Sequence, residues 1–171
     1  VGLVPAPSLE SATLPRVWQG IGYRPLPVID AAQPLFDFAA LPWPDVAHVS
    51  FGWGAFASRA GDRPGERLIG ALLGEAGDGA LLLHGPVILD ADDPLEVAAQ
   101  LVAAALDHAT ALGVATLFTR PQGLDRIWVR FGFIPVPEGT LPRALAGRPG
   151  VGLYAWRGGT ALWLFREPRP D

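Results

Sequence analysis

The sequence predicts an α+β domain: one mixed sheet with flanking helices. Three observations predict it. Residues 80 to 119 read strand, helix, strand, an order that lays two strands parallel through a right-handed crossover. Just before them, two apolar runs, Arg67 to Gly74 and Ala80 to Leu89, flank Glu75-Ala76-Gly77-Asp78-Gly79, a hairpin signal. Further short strands follow toward the C-terminus, so both kinds of pairing share one chain. At 171 residues, 50% hydrophobic and 18% charged, the chain suits a single domain with a real core. We divide it into a helical part over 1–44, a core over 45–137 and a C-terminal sheet part over 138–171.

In chain order, Val1 to Val4 reads as a short strand. Ser8 to Gly20 carries a helix start broken by Pro15, and Asp30 to Leu41 a second one broken by Pro34. Asp45 to Ser58 reads as a strand whose Gly52 and Gly54 mark a bulge or a close backbone approach. Arg59 to Gly65 is a polar turn into the hairpin. The Ala80 to Leu89 run is apolar on both faces, as a strand covered on both sides requires. Asp92-Asp93-Pro94 then opens the strongest helix, with Ala98, Leu101, Val102, Ala105, Ala109 and Leu112 on one stripe and Gly113 as terminator. Val114 to Thr119 is the next strand, Leu124 to Phe131 a short helix ended by Gly132, and Phe133 to Val136 a strand. A helical turn at Leu141 to Ala146 leads to a hairpin of Gly152 to Trp156 with Ala161 to Phe165.

Composition excludes several function classes. Thirteen basic against seventeen acidic side chains leave a net charge of -4, too little cationic field for nonspecific nucleic-acid binding. Cysteine is absent, so there is no disulfide framework, thiolate metal site or cysteine nucleophile. Every basic residue is arginine, which removes Schiff-base and P-loop lysine chemistry. The apolar runs fall short of the roughly 20 residues that span a bilayer, and no signal-peptide pattern is present, so we expect a soluble cytoplasmic protein.

The stretch from Gly85-Pro86-Val87-Ile88-Leu89 through the long helix and Leu112-Gly113-Val114 to Trp128-Val129-Arg130-Phe131-Gly132-Phe133-Ile134-Pro135 resembles the GNAT superfamily of acyl-CoA-dependent N-acyltransferases. Two motifs carry the resemblance: a strand feeding a helix closed by Leu-Gly-Val, and the aromatic, x, x, x, Gly-Phe, x, Pro ending of Trp128 to Pro135. It implies a mixed sheet whose parallel strand pair splays apart and whose backbone N–H groups hold pantetheine, with pyrophosphate at the next helix start. It further implies acetyl-CoA as cosubstrate, no metal, an amine of a small molecule or peptide as acceptor, and a homodimer as a compatible state. By position, Val87, Ile88 and Leu89 lie along the pantetheine arm, and Leu95 to Ala98 under the pyrophosphate.

Some residues depart from the family pattern. Asp92-Asp93-Pro94-Leu95-Glu96-Val97-Ala98 puts carboxylates where the family's phosphate turn has glycines, Trp128 stands where a tyrosine acid often does, and Pro121 replaces an asparagine. Arg120 and Arg126 are then candidates to neutralise the phosphates, or plain surface residues. His84 is a base beside the thioester, or a satisfied strand histidine; Tyr154 is a candidate acid. Phe51, Trp53 and Trp128 line a substrate cleft, or pack the core. The acidic run Asp90, Asp92, Asp93 and Glu96 caps the helix and matches its dipole, or chelates a cation. His108 reads as a solvated side chain near the helix end. The leading expectation is an N-acetyltransferase; the alternative is a non-catalytic GNAT-fold binding or dimerisation module with a weakened CoA site.

Overall fold

The computed structural model describes residues 16–58, 65–146 and 162–166. Its centre is the hairpin of β4 (Glu66–Gly77) and β5 (Ala80–Ile88), joined by Asp78 and Gly79. Both turn residues have positive φ, 50° and 77°, as a two-residue turn must to match the strand twist. The strands therefore run through Glu75-Ala76-Gly77 instead of stopping before it. Around them one eight-stranded sheet takes the order β1-β2-β3-β4-β5-β6-β8-β7. Here β1 is Arg16–Trp18, β2 Ile21–Pro25, β3 Val49–Ser58, β6 Thr116–Thr119, β7 Ile134–Val136 and β8 Leu162–Arg166. Every neighbouring pair is antiparallel except β5 and β6, which are parallel from Ala80↔Thr116 to Leu83↔Thr119.

Helix α1 (Gln33–Phe38) continues a 3-10 turn, Ile29–Ala32, and covers one face of the sheet. Helix α2 (Pro94–Ala111) covers the other, and α3 (Asp125–Arg130) packs beside it. The Asp93 carboxylate accepts the Glu96 N–H at 3.2 Å, which caps α2, and Gly113 ends it at φ 75°. The apolar stripe of α2, with Val97, Ala98, Leu101, Val102, Ala105 and Ala109 all buried, packs on Trp53, Ile69, Leu81 and Leu83. Leu82, Phe118 and Leu164 point the other way into a second core, and Leu73 and Val87 into a third under α1. Strand β5 is thus covered on both sides, as its apolar pattern requires. Gly52 and Gly54 give close approach: a Cβ at either position meets the Leu26 side chain within 2.9 Å.

Several expectations are corrected. The helical reading of Ser8 to Gly20 fails at its C-terminal end, because residues 16–18 pair with 21–23 as strand. Pro25 ends β2 opposite Trp53 of β3, so the N-terminal part carries a sheet edge before its helix. His108 is not solvated. It is 2% exposed, stacked on Phe51 at 4.4 Å between ring centres, and its Nδ1 accepts the Trp53 indole N–H at 3.0 Å. The strand at Val114 begins only at Thr116. The strand at Val1 to Val4, nearly all of the turn at Arg59 to Gly65, and the first strand of the Gly152 hairpin lie outside the described residues.

Candidate active site

Strand β6 ends at Thr119, opposite Leu83, whereas β5 continues five residues further, paired only with β4. The parallel pair therefore opens into a fork beyond Leu83. Pairing parity fixes which backbone groups face it. The Leu89 N–H donates to the Ile69 carbonyl at 2.7 Å, so Leu89 faces β4, and alternation turns the Ile88 N–H and carbonyl toward the fork. Leu89, expected as a donor along the arm, is thus already bonded. Pro86, joined to Gly85 by a cis bond, has no N–H to offer.

The fork is a cavity of about 310 Å³. Leu41, Val87, Ile88, Leu95 and Leu124 give it an apolar lining, and Gln122 enters it from the loop after β6. The Gln122 amide oxygen is buried with no hydrogen-bond partner among the described residues. A buried orphan acceptor costs about 1–3 kcal/mol unless something donates to it. An apolar slot with one unsatisfied amide acceptor and one outward backbone N–H matches a chain of methylenes and amides, which is what pantetheine is.

Toward the middle of the sheet the fork passes Gln122 to a crevice of about 10 Å³, room for roughly one water, lined by Phe36, His84 and Arg120 among others. His84 Nε2 lies 2.9 Å from Glu75 Oε1, and Glu75 is 1% exposed. The hairpin register makes this pair. Glu75 opposes Leu82, and His84 lies two residues along on the same face, the diagonal spacing that long side chains bridge. With the carboxylate accepting from Nε2–H, the Nδ1 lone pair is left for other chemistry. Sequence reading named His84 and missed Glu75. His84 is the one ionisable residue of its run, whereas Glu75 directly follows the other run and reads as part of the turn.

At the outer end of the fork lies the start of α2, and few of its N–H groups are free. Pro94 has none, Glu96 N–H is held by the Asp93 carboxylate, and Val97 N–H by the Asp93 carbonyl at 3.1 Å. That leaves the Leu95 N–H. Ala98, expected under the pyrophosphate, is a turn too deep and fully buried against the sheet. Helix starts attract anions through free N–H groups and the dipole, and here Asp92, Asp93 and Glu96 add negative charge to the same turn.

No protein-family model matches the sequence, and no curated protein matches it. Solved structures do match in fold. The ribosomal-protein-S18-alanine N-acetyltransferase from Escherichia coli aligns over 88% of this chain and 96% of its own, with TM-score 0.58 and 12% identity. A GNAT family N-acetyltransferase from Escherichia coli in complex with CoA aligns over 88% and 83%, at TM-score 0.55 and 16% identity. An N-acetylglutamate synthase from Neisseria gonorrhoeae, complexed with coenzyme A and N-acetyl-glutamate, aligns over 90% of this chain at TM-score 0.59 and 16% identity. This chain spans only 36% of that synthase. The chain has the GNAT fold.

Within this GNAT fold the remaining expected site residues fall in several places. Phe51 and Trp53 are not in a cleft: they clamp His108 beneath α2, 8% and 2% exposed. Trp128 is fully buried and donates its indole N–H to the Pro121 carbonyl at 3.2 Å, so it serves packing and holds the loop that carries Gln122. Arg120 is 6% exposed and forks onto Glu138 at 2.7 and 3.0 Å, an ion pair that ties up the charge expected to meet phosphate. Arg126 is exposed on α3 with no ion pair among the described residues, and Arg130 on the same helix stands 3.7 Å from Glu96. Tyr154 lies outside the described residues. Among the described residues no three His, Asp or Glu side chains converge to hold a metal ion, and no helix is long and apolar enough to cross a membrane.

Proposed function

We propose that the protein is an acetyl-CoA-dependent N-acetyltransferase acting in the cytoplasm on an amine of a small molecule or peptide. The observation that carries this reading is the fork: an apolar slot holding the orphaned Gln122 oxygen and the outward Ile88 N–H, which leads to the His84–Glu75 pair. The solved neighbours in complex with CoA support the same choice of donor.

Acetyl-CoA supplies an activated acyl group as a thioester. The Ile88 N–H donates to a pantetheine carbonyl, and Gln122 Oε1 accepts a pantetheine amide N–H. The amine nitrogen attacks the thioester carbonyl carbon, a C–N bond forms and the C–S bond breaks. His84 Nδ1 takes the ammonium proton, directly or through a water in the crevice, while Glu75 stabilises the imidazolium. The CoA thiol is acidic enough to leave as its thiolate, which then takes a proton from solvent or from Tyr154. Trp128 takes no part, because its only polar hydrogen is committed to Pro121.

The phosphates gain little from the helix start and depend on Arg126 and Arg130. This feature favours a second reading, a GNAT-fold binding or dimerisation module with a weakened CoA site. One experiment separates the two. Thiol release from acetyl-CoA is followed over a panel of primary amines and N-terminal peptides, alongside calorimetric titration of CoA. Release that requires an amine supports the transferase. Saturable CoA binding with no release over the whole panel supports the module.

A further inference from the structure

The turn between β6 and α3 is held from behind as well as across itself. In Pro121-Gln122-Gly123-Leu124 the Leu124 N–H donates to the Pro121 carbonyl at 2.8 Å, and both central residues have positive φ, 46° and 78°. Those are the marks of a type I′ turn. Gly123 fits it freely, whereas Gln122 carries a Cβ and is strained in the left-handed region. The same residue buries an amide oxygen with no partner among the described residues. Two costs therefore meet at Gln122, and a residue is kept in such a state only where its surroundings impose it.

Trp128 is the part of those surroundings that reaches the turn. Its side chain is fully buried, with the indole edge-on to the Phe133 ring at 4.9 Å between centres. Its backbone is fixed as well, the N–H donating to the Leu124 carbonyl at 3.2 Å and the carbonyl accepting the Phe133 N–H at 2.9 Å. From this rigid mount the indole N–H reaches back to the Pro121 carbonyl at 3.2 Å. That carbonyl already holds the Leu124 N–H, so the indole bond is a second one. The first bond closes the turn; the second ties it to α3. The Pro121 carbonyl belongs to the planar peptide unit that ends in the Gln122 nitrogen, so fixing its direction fixes the plane from which Gln122 departs. A core position that had only to be filled needs no N–H.

We propose that Trp128 is a positioning residue for the donor: by holding the Pro121–Gln122 peptide plane, its indole N–H aims the Gln122 amide oxygen into the fork, where a pantetheine amide N–H is to be met. The inference rests on the reading of the fork as the pantetheine slot. Trp128 itself touches neither donor nor acceptor and acts through Gln122 alone.

The test is calorimetric titration of acetyl-pantetheine into the wild type, Trp128→Phe, Gln122→Leu and the double variant, with thermal melts of each. Loss of the indole N–H is expected to weaken binding about fivefold, and loss of the Gln122 acceptor about tenfold. The double variant is expected to bind about tenfold weaker than the wild type, and not the roughly fiftyfold that two independent sites give. Because Trp128→Phe also leaves a void, Trp128→3-benzothienylalanine is titrated beside it. That substitution keeps the bicyclic ring and puts sulfur in place of the N–H, and it is expected to weaken binding by the same factor. In thiol-release kinetics the KM for acetyl-CoA rises by that factor while kcat stays within about twofold. Additive losses in the cycle, or wild-type affinity in the benzothienyl variant, overturn the proposal and leave the fork reading standing. A fall in kcat at unchanged KM does the same. A wild type that binds no acetyl-pantetheine overturns the fork reading and the proposal with it.

Discussion

Two histidines sit on opposite faces of one sheet, and their surroundings are opposite in kind. His84 has a buried carboxylate at 2.9 Å and an opening beside it. His108 has an indole, a phenyl ring and a helix, and its Nε2 is buried with no partner among the described residues. An acid partner and access make an imidazole a proton carrier; aromatic enclosure makes it a core residue with a polar edge. The comparison teaches that the surroundings of His84 suit the proton transfer proposed for it, whereas those of His108 suit packing. Burial pulls the His108 pKa below its ordinary 6.5, so the folded protein keeps it neutral.

The comparison is sharpest in the variants of the first face. His84→Ala is expected to lower the rate constant for acetyl transfer at pH 7 by about 100-fold, with CoA affinity by titration calorimetry nearly unchanged. A change of less than threefold would return His84 to a structural role. Glu75→Gln keeps a hydrogen-bond acceptor but not the charge, and an effect of about tenfold on kcat with little on KM is expected. Gln122→Leu removes the orphaned acceptor of the fork. CoA binding should weaken by about tenfold, the worth of one hydrogen bond, while the ligand-free protein melts no lower. Equal weakening and unfolding would instead mark Gln122 as a structural residue.

A smaller effect is expected at the helix start. Leu95→Arg places a cation beside the phosphates, and acetyl-CoA should bind about fivefold tighter at low salt, with the gain lost as salt rises. The smallest effect belongs to His108 and appears only in stability. Its folded pKa is depressed, so below about 6.5 the unfolded chain takes up a proton that the folded chain refuses. Stability should therefore fall as pH drops through and below that value, and His108→Gln should flatten the trend in thermal melts while leaving transfer kinetics at pH 7.5 unchanged. A wild-type melting curve independent of pH between 7.5 and 5 contradicts this account of the second face.

The sequence made the strand, helix, strand unit legible because α2 repeats its apolar stripe without interruption and Asp93 and Gly113 punctuate it. At His108, which lies between Ala105 and Ala109 on the buried side, the polarity of the side chain points to solvent while its position on the helix points to the core. Strands β1 and β2 were hidden by their brevity and by Pro25, and they exist because β2 pairs with β3 and β1 with β2. At the site, His84 and the backbone of Ile88 were legible from the resemblance in order and spacing. Glu75 was not, because the ion pair depends on hairpin register, which only the positive φ of Asp78 and Gly79 fixes. Gln122 was not legible because its φ of 46° gives the following chain an unusual course that no periodicity announces. Phe51, Trp53 and Trp128 were equally consistent with cleft and core, and burial decides for core.

On the proposed reading the fork holds the donor by its pantetheine arm and the helix start adds little. Titration calorimetry with acetyl-CoA and with acetyl-pantetheine, which lacks the nucleotide and the diphosphate, separates the two contributions. The expected result is two saturable isotherms whose dissociation constants lie within about tenfold, a difference of about 1.4 kcal/mol, closing further at high salt. Tight acetyl-CoA binding with no detectable acetyl-pantetheine binding would contradict the claim and place the donor's affinity in its phosphates.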